Sequence, residues 1–173
     1  YPNMKKSDSN VVNLFEQSNQ GVQKIVLIDS MKMKRGGAIS NPVLAYETWG
    51  KMNESRDNIV IILTGLSASS HVASHSSNPN PGWWEGIVGP DKAIDTNKFY
   101  VVCINSLGSC FGSTGPASLN EITGEPFRLT FPELTIDDMA TATKLLLDKL
   151  KIEQINTLIG PSMGGMHALV LII

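Results

Sequence analysis

The sequence GPSMGG at residues 160–165 constrains the fold of this chain more than any other feature. A β-rich run at residues 155–159 precedes it, and a helix-forming apolar run follows it. Gly-x-Ser-x-Gly between a strand and a helix is typical of a nucleophile elbow, a tight turn that exposes the serine hydroxyl. Glycines make room for the strained backbone, and the nearby helix N–H groups can stabilise an oxyanion. The pattern predicts that Ser162 is a nucleophile; the alternative is a serine N-cap in a glycine-rich turn.

The pattern of apolar residues in the rest of the chain predicts an α/β fold with a doubly wound, mostly parallel sheet. Residues 135–150 show the spacing of an amphipathic helix with Thr135 as its N-cap. Nearly continuous apolar runs are typical of strands covered on both faces of a parallel sheet. Strand, helix, strand, elbow and helix form a βαβα segment. The predicted strands are residues 22–28, 43–49, 58–63, 99–104 and 155–159.

Composition predicts a cytoplasmic protein that binds neither nucleic acid nor membrane. The chain has 173 residues, a formal net charge of −2, 42% hydrophobic residues and 17% charged residues. These values are ordinary for a globular protein and leave no basic surface for nucleic acid. Its apolar runs fall far short of the roughly 18 residues that a membrane-spanning helix needs. We interpret residues 1–20 as a flexible polar lead-in and residues 21–173 as part of one domain.

The cysteines and histidines predict neither a disulfide framework nor a metal site. Cys103 lies in an apolar run and is predicted to be buried, whereas Cys110 lies in a Gly/Ser loop. The spacing of His71 and His75 fits half of a metal site, but no third ligand stands out nearby. We therefore interpret both as pocket-lining or surface residues. His167 follows Ser162 on the elbow helix, points away from its hydroxyl, and is not predicted to be a base.

The turn after the predicted strand 58–63 is a candidate second half of an oxyanion hole. In a nucleophile-elbow site, one N–H donor is that of the residue after the serine, here Met163, and another comes from the loop after an earlier strand. Leu63, Thr64 and Gly65 leave the apolar strand at the correct edge of the sheet. The alternative is that Thr64 and Gly65 only make a tight turn.

These motifs resemble those of the homoserine O-acetyltransferase family in the α/β-hydrolase superfamily. The resemblance implies an α/β-hydrolase fold and transfer of an acetyl or succinyl group from acyl-coenzyme A to the hydroxyl of L-homoserine or L-serine. The acyl group would pass through an ester at Ser162, in methionine or cysteine biosynthesis. The motifs, in order, are KRGG at 34–37, AYETWG at 45–50, LTG at 63–65, PGWW at 81–84, GSTGPAS at 112–118 and GPSMGGM at 160–166.

The resemblance also implies roles for individual residues. It makes Met163 and the turn formed by Leu63, Thr64 and Gly65 the oxyanion region. It assigns substrate selection to the segment that follows: Leu66, Ser67, Ala68 and Ser69. Acyl-coenzyme A would be a co-substrate with no permanently bound cofactor, and the complete protein would be a homodimer.

The catalytic acid and histidine of that family follow the serine, and no convincing candidates for them occur in this chain. We therefore expect the fold to be truncated shortly after the elbow, and the 173-residue piece to be inactive by itself. Two rival functions stay open. One is a serine hydrolase or esterase of the same fold, in which water is the acceptor. The other is a non-catalytic remnant that acts as a binding module.

Overall fold

The computed structural model describes residues 21–172, so the predicted lead-in at residues 1–20 lies outside the described residues, as does Ile173. In chain order the strands are β1 (Gln23–Val26), β2 (Ser30–Lys32), β3 (Ala38–Ser40), β4 (Val43–Trp49), β5 (Ile59–Leu63), β6 (Val88–Gly89), β7 (Ile94–Asp95), β8 (Tyr100–Ile104), β9 (Leu119–Asn120), β10 (Glu125–Pro126) and β11 (Thr157–Ile159). The helices are α1 (Ile136–Lys149) and α2 (Met163–Leu171), and Arg128–Thr130 forms a short 3-10 turn. No helix in this part of the chain is long and apolar enough to cross a membrane.

The main sheet has five strands in the order β1-β4-β8-β5-β11. Strands β8, β5 and β11 run parallel, with Ile61 of β5 facing Val102 on one side and Leu158 on the other. Strands β1 and β4 are added in antiparallel orientation. The predicted α/β class is therefore confirmed, with a parallel centre and an antiparallel flank. All five residues of β5 are buried, as its unbroken apolar sequence predicts.

Strand boundaries follow the predictions closely where a strand is long. Strand β4 coincides with the predicted residues 43–49, and β8 begins one residue later than predicted. The predicted strand 22–28 is shorter, because the chain turns after β1 and Leu27 N–H donates to Pro42 O. A short hairpin of β2 and β3 follows, which periodicity did not indicate.

Helix α1 begins with a capping box that also holds the β2–β3 hairpin. The Thr135 hydroxyl accepts from Asp138 N–H, and Asp138 Oδ2 accepts from Thr135 N–H at 2.8 Å. Such an arrangement satisfies amides that a helix start leaves unpaired, and losing it typically costs about 1 kcal/mol. Asp138 Oδ1 accepts from the backbone N–H of Lys34 at 2.8 Å, and Lys34 Nζ contacts Asp137 at 2.5 Å. The predicted cap is therefore confirmed.

Two apolar cores cover the two faces of the sheet. On one face, α1 packs its buried Leu146 and Leu147 against Ile61 and Ile104, and Ala168 of α2 joins this core. On the other face, the long segment between β5 and β8 supplies the cover, with Val72 and Val88 among the core residues. Cys103 lies in this second core, as predicted, and burial raises the pKa of its thiol. The remaining buried members of the second core are Trp49, Val60, Ile62, Ala73 and Val101.

Candidate active site

Ser162 lies on a strained turn between β11 and α2. Its backbone has φ 54° and ψ −122°, in the positive-φ region that a residue with a side chain rarely adopts. Strain of this kind costs on the order of 1–3 kcal/mol and persists only where the surrounding structure enforces it. The Ser162 side chain is exposed. The strand-turn-helix geometry of an elbow is therefore present.

Backbone contacts explain the glycines on either side of the serine. A Cβ atom at Gly160 would lie 2.0 Å from Gly164 O, and one at Gly164 would lie 2.2 Å from Leu63 O. Both separations are far inside van der Waals contact with backbone atoms, which cannot rotate away. Gly164 lets the elbow approach β5 this closely, and Gly160 lets the two ends of the elbow approach each other, because neither position has a side chain.

The serine hydroxyl is not used as a helix cap. Ser162 occupies the position before α2, yet its side chain makes no capping hydrogen bond. Gly164 N–H donates to Pro161 O and Gly165 N–H donates to Ser162 O, each at 2.9 Å. Among residues 21–172, Met163 N–H has no acceptor. The structure thus disfavours the alternative of a serine N-cap and leaves an amide beside the hydroxyl for an oxyanion.

The turn after β5 lies beside the elbow, as the sequence predicts. Leu63 is fully buried, and the Thr64 hydroxyl donates to Ile104 O at 3.2 Å, which fixes the start of the turn. A Cβ atom at Gly65 would lie 3.5 Å from Pro161 O and 3.8 Å from Ser162 Cβ. The predicted oxyanion region and the predicted nucleophile are therefore neighbours.

A small cavity and a wider cleft adjoin the elbow. The cavity has a volume of about 120 Å³ and includes Met163, Gly65 and Leu66 in its walls. The cleft has a volume of about 550 Å³ and shares Leu66, Gly108 and Ser109 with the cavity. The loop after β8 thus meets the elbow at one edge of the sheet, as predicted for the carboxyl ends of parallel strands.

Only the first residue of the predicted substrate-selecting segment lines the cavity. Leu66 is 82% exposed and belongs to the walls of both the cavity and the cleft. Ser67, Ala68 and Ser69 lie outside both walls. The Ser69 carbonyl instead accepts from Trp83 Nε1 at 2.8 Å. After Leu66 the segment turns away from the elbow toward the loop that carries Trp83.

Glu47 is a buried carboxylate that the sequence analysis did not single out. It lies on β4 with no exposed surface, and its Oε1 accepts from the Ser70 hydroxyl at 2.8 Å. Asn105, also fully buried, accepts from Ser70 N–H at 2.7 Å and donates to Phe111 O at 2.9 Å. These contacts connect the loop after β5 with the loop after β8. A glutamate inside the apolar run VLAYETW was the available signal.

His71 and His75 both contact this carboxylate. His71 Nδ1 and His75 Nε2 each lie 2.9 Å from Glu47 Oε2, and their side chains are 11% and 16% exposed. Both residues are partly exposed, and their shared contact with Glu47 was not predicted from the sequence. His71 Nε2 lies 2.8 Å from Asn80 O. Each ring nitrogen of His71 thus lies beside an acceptor oxygen.

Glu47 is also a candidate third metal ligand beside His71 and His75, which the sequence alone did not indicate. The three ligand atoms lie within 4.8 Å of one another, as a metal site would require. However, Ser77 N–H donates to His75 Nδ1 at 3.3 Å, which places the proton of a neutral ring on Nε2. A metal needs the lone pair of that same Nε2. The described contacts therefore favour a hydrogen-bonded cluster.

His167 lies in the interior between the two helices and away from the serine hydroxyl. It has no exposed surface, and its Nε2 lies 3.1 Å from Thr143 Oγ1 of α1. Burial disfavours the charged ring and lowers the pKa of His167 to about 4. A neutral, enclosed ring at this position packs the helices together.

From the lowered pKa of His167 we predict that the stability of the complete protein depends on pH. The unfolded ring, with a pKa near 6.5, takes up a proton that the folded ring accepts only near pH 4. The unfolded state thus binds more protons in this window, so the free energy of unfolding falls as the pH is lowered through it. We expect wild type to lose about 2 kcal/mol more than His167→Gln between pH 7 and pH 5. Urea unfolding of both proteins at the two pH values measures this, and parallel losses would contradict it.

Comparison with known proteins agrees with this geometry. A family model described as the alpha/beta hydrolase fold matches residues 58–172. A serine O-succinyltransferase of Xanthomonas campestris pv. campestris (strain B100) is 52% identical over 88% of this chain and 40% of its own length. An L-serine/homoserine O-acetyltransferase of Streptomyces lavendulae is 53% identical over 86% of this chain and 40% of its own length.

Two solved structures extend the comparison. Homoserine O-acetyltransferase from Bacillus anthracis aligns with a TM-score of 0.77 and 33% identity, over 86% of this chain and 42% of that one. Esterase E22 aligns with a TM-score of 0.74 and 37% identity, over 84% of this chain and 42% of that one. The chain spans about two-fifths of the length of the curated relatives it matches. With its elbow, parallel sheet centre and matched region, the chain belongs to the alpha/beta hydrolase fold family.

Proposed function

We propose that the protein carrying this chain is an acyl-coenzyme A-dependent O-acyltransferase. It moves an acetyl or succinyl group to the hydroxyl of L-serine or L-homoserine through an acyl ester at Ser162. The observation that carries the proposal is the exposed Ser162 on a strained turn, beside the Gly65 turn and the Met163 amide. A strained turn that presents a hydroxyl next to an N–H donor without an acceptor is suited to acyl transfer.

The chemistry proceeds in two half-reactions. In the first, Ser162 Oγ attacks the thioester carbonyl, an O–C bond forms, and the C–S bond breaks as coenzyme A leaves as its thiol. In the second, the acceptor hydroxyl attacks the ester carbonyl, a new O–C bond forms, the Ser162 Oγ–C bond breaks, and the proton of the acceptor hydroxyl returns to Ser162 Oγ. The N–H groups of Met163 and of the turn formed by Leu63, Thr64 and Gly65 stabilise the oxyanion in both. We assign the proton-accepting histidine and its acid partner to the part of the protein beyond this chain.

The names of the relatives support the reaction class and the choice of acceptor. Serine O-succinyltransferase and L-serine/homoserine O-acetyltransferase both describe transfer of an acyl group to an amino-acid oxygen. Leu66 lines both the cavity and the cleft beside the elbow, and we assign the segment of Leu66, Ser67, Ala68 and Ser69 to acceptor selection. The complete enzyme is proposed to be a cytoplasmic homodimer in methionine or cysteine biosynthesis, without a resident cofactor.

A hydrolase of the same fold is the second candidate. The observation that favours it is the structural similarity to esterase E22. The two reactions share the acyl-serine and differ only in whether water or an amino-acid hydroxyl attacks it. The identity of the second nucleophile therefore decides between them.

A partition experiment on the complete protein tests the proposal. The enzyme is mixed with acetyl- or succinyl-coenzyme A, and intact mass spectrometry follows the adduct on Ser162. Buffer, L-serine or L-homoserine is then added. We expect an adduct that is stable in buffer and is discharged at a rate that rises with the amino-acid concentration. Equal discharge in buffer would establish a hydrolase, and the absence of an adduct with either donor would overturn the proposal.

A further inference from the structure

The loop that leaves β5 is attached to the end of β8 at two points. At the near point, the Thr64 hydroxyl donates to Ile104 O at 3.2 Å. At the far point, Ser70 N–H donates to Asn105 Oδ1 at 2.7 Å, and Asn105 Nδ2 donates to Ser70 Oγ at 2.9 Å. Residues 65–69, which include the proposed acceptor-selecting segment, therefore lie between two fixed points.

The far attachment is a buried network in which the polar atoms of both side chains are paired. Neither Ser70 nor Asn105 has any exposed surface. The Ser70 hydroxyl donates to Glu47 Oε1 at 2.8 Å, and Asn105 Nδ2 also donates to Phe111 O at 2.9 Å. A buried polar network whose members are all satisfied rigidifies the segments that it joins. The far attachment thus holds Ser70 in one place relative to β4 and β8.

Leu66 lies between the two attachments with little support of its own. Its side chain is 82% exposed, although it lines both the cavity and the cleft beside the elbow. Among residues 21–172, no hydrogen bond holds residues 66–68. The position of Leu66 therefore depends on the points at which Thr64 and Ser70 fix the two ends of the segment.

The two attachments affect different parts of the proposed reaction. Thr64 belongs to the turn that we assign to the oxyanion, which forms in both half-reactions. Ser70 and Asn105 lie outside the walls of the cavity and the cleft, so they influence a substrate only through the residues that they hold. Loss of the far attachment should therefore move Leu66 while the near attachment keeps the oxyanion turn in place.

We propose that Ser70, anchored by Asn105 and Glu47, is a positioning residue for the acyl acceptor. It acts through Leu66, whose side chain it holds beside the cleft, and thereby sets the preference between L-serine and L-homoserine. This inference rests on the proposed function and its assignment of the segment to acceptor selection. The two acceptors differ by one methylene group, so their discrimination depends on how closely a side chain such as Leu66 approaches the acceptor.

The test compares Ser70→Ala with Ser74→Ala in the complete protein. Each substitution removes a serine hydroxyl of the same long loop that donates to a glutamate oxygen at 2.8 Å, of Glu47 and of Glu85 respectively. Ser74 lies beyond the acceptor-selecting segment, so Ser74→Ala is the matched control. Intact mass spectrometry measures first the acylation of Ser162 by the coenzyme A donor, and then its discharge by L-serine and by L-homoserine.

We expect Ser70→Ala to change the serine-to-homoserine ratio of the discharge rate constants by about 3- to 10-fold, a part of the roughly 10- to 200-fold that one methylene group allows. Acylation of Ser162 should stay within about twofold of wild type, because the acceptor takes no part in that step. Ser74→Ala should keep the wild-type ratio. Thr64→Val, which removes the near attachment, should slow acylation and discharge together at an unchanged ratio.

A double-mutant cycle tests whether Ser70 acts through Leu66. Leu66→Ala alone should change the acceptor ratio, and its exposed position means that folding should be unaffected. In the Leu66→Ala background, Ser70→Ala should change the ratio no further, because the side chain that it positions is gone. Urea unfolding of each variant defines the conditions in which all of them are folded.

Several results would overturn the inference. An unchanged acceptor ratio in Ser70→Ala or in Leu66→Ala would do so. Equal slowing of acylation and discharge by Ser70→Ala would show that the far attachment supports the oxyanion turn instead. A ratio change that persists in full in the Leu66→Ala background would show that Ser70 does not act through Leu66. Absence of the Ser162 adduct in wild type would instead be a failure of the proposed function.

Discussion

Replacing Ser162 with alanine in the complete protein is expected to abolish acyl transfer while leaving the fold intact. Removal of a catalytic nucleophile lowers turnover by roughly 10⁴-fold or more, because the remaining donors then have no covalent intermediate to stabilise. The side chain is exposed and caps no helix amide. Its loss should therefore change the free energy of unfolding by no more than about 0.5 kcal/mol.

Steady-state transfer, the mass of the acyl-enzyme and a urea unfolding curve check this expectation. Ser76→Ala serves as the control for removal of an exposed hydroxyl and should retain the wild-type rate. An adduct that still forms at the wild-type rate in Ser162→Ala would show that another side chain is the nucleophile. A large drop in unfolding midpoint would show instead that the elbow depends on the hydroxyl.

Replacing Glu47 with alanine is expected to destabilise the complete protein by about 3–5 kcal/mol. The substitution removes a fully buried carboxylate and leaves His71, His75 and the Ser70 hydroxyl without their shared acceptor. Each buried donor left without an acceptor typically costs about 1–3 kcal/mol, and three donors lose theirs here. Glu47→Gln keeps an oxygen for Ser70 but places no anion beside the rings, so we expect a smaller loss.

Urea unfolding of the complete enzyme measures both variants. Glu54→Gln, which changes an exposed glutamate in a loop, is the control and should stay within about 0.5 kcal/mol of wild type. A loss of that small size for Glu47→Ala would show that the histidine contacts contribute nothing to stability.

The features that sequence predicted well are those that neighbouring residues determine. Helix α1 and its Thr135 cap follow from local periodicity and a three-residue capping pattern. The elbow is equally local, because its glycines and serine lie within six positions. The approach of Gly65 to Ser162 could also be predicted, since parallel strands place their carboxyl ends at one edge of a sheet.

The features that sequence did not predict depend on contacts between distant segments. Glu47 meets His71 and His75 across 24 and 28 positions, and only the packing of the long loop on β4 brings them together. The segment after Leu66 likewise contacts the distant Trp83, whose Nε1 donates to Ser69 O. No periodic pattern encodes such contacts, because loop geometry is not constrained by a repeating backbone.

The close approach of the elbow to β5 has a consequence for how such an enzyme can diverge. Gly160, Gly164 and Leu63 meet through main-chain atoms alone. The main chain of the sheet therefore sets the position of the serine hydroxyl, and the side chains that face the substrate do not. Mutations can therefore remodel the loops after β5 and β8 and so change the acyl donor or the acyl acceptor. The position of the Ser162 hydroxyl stays the same.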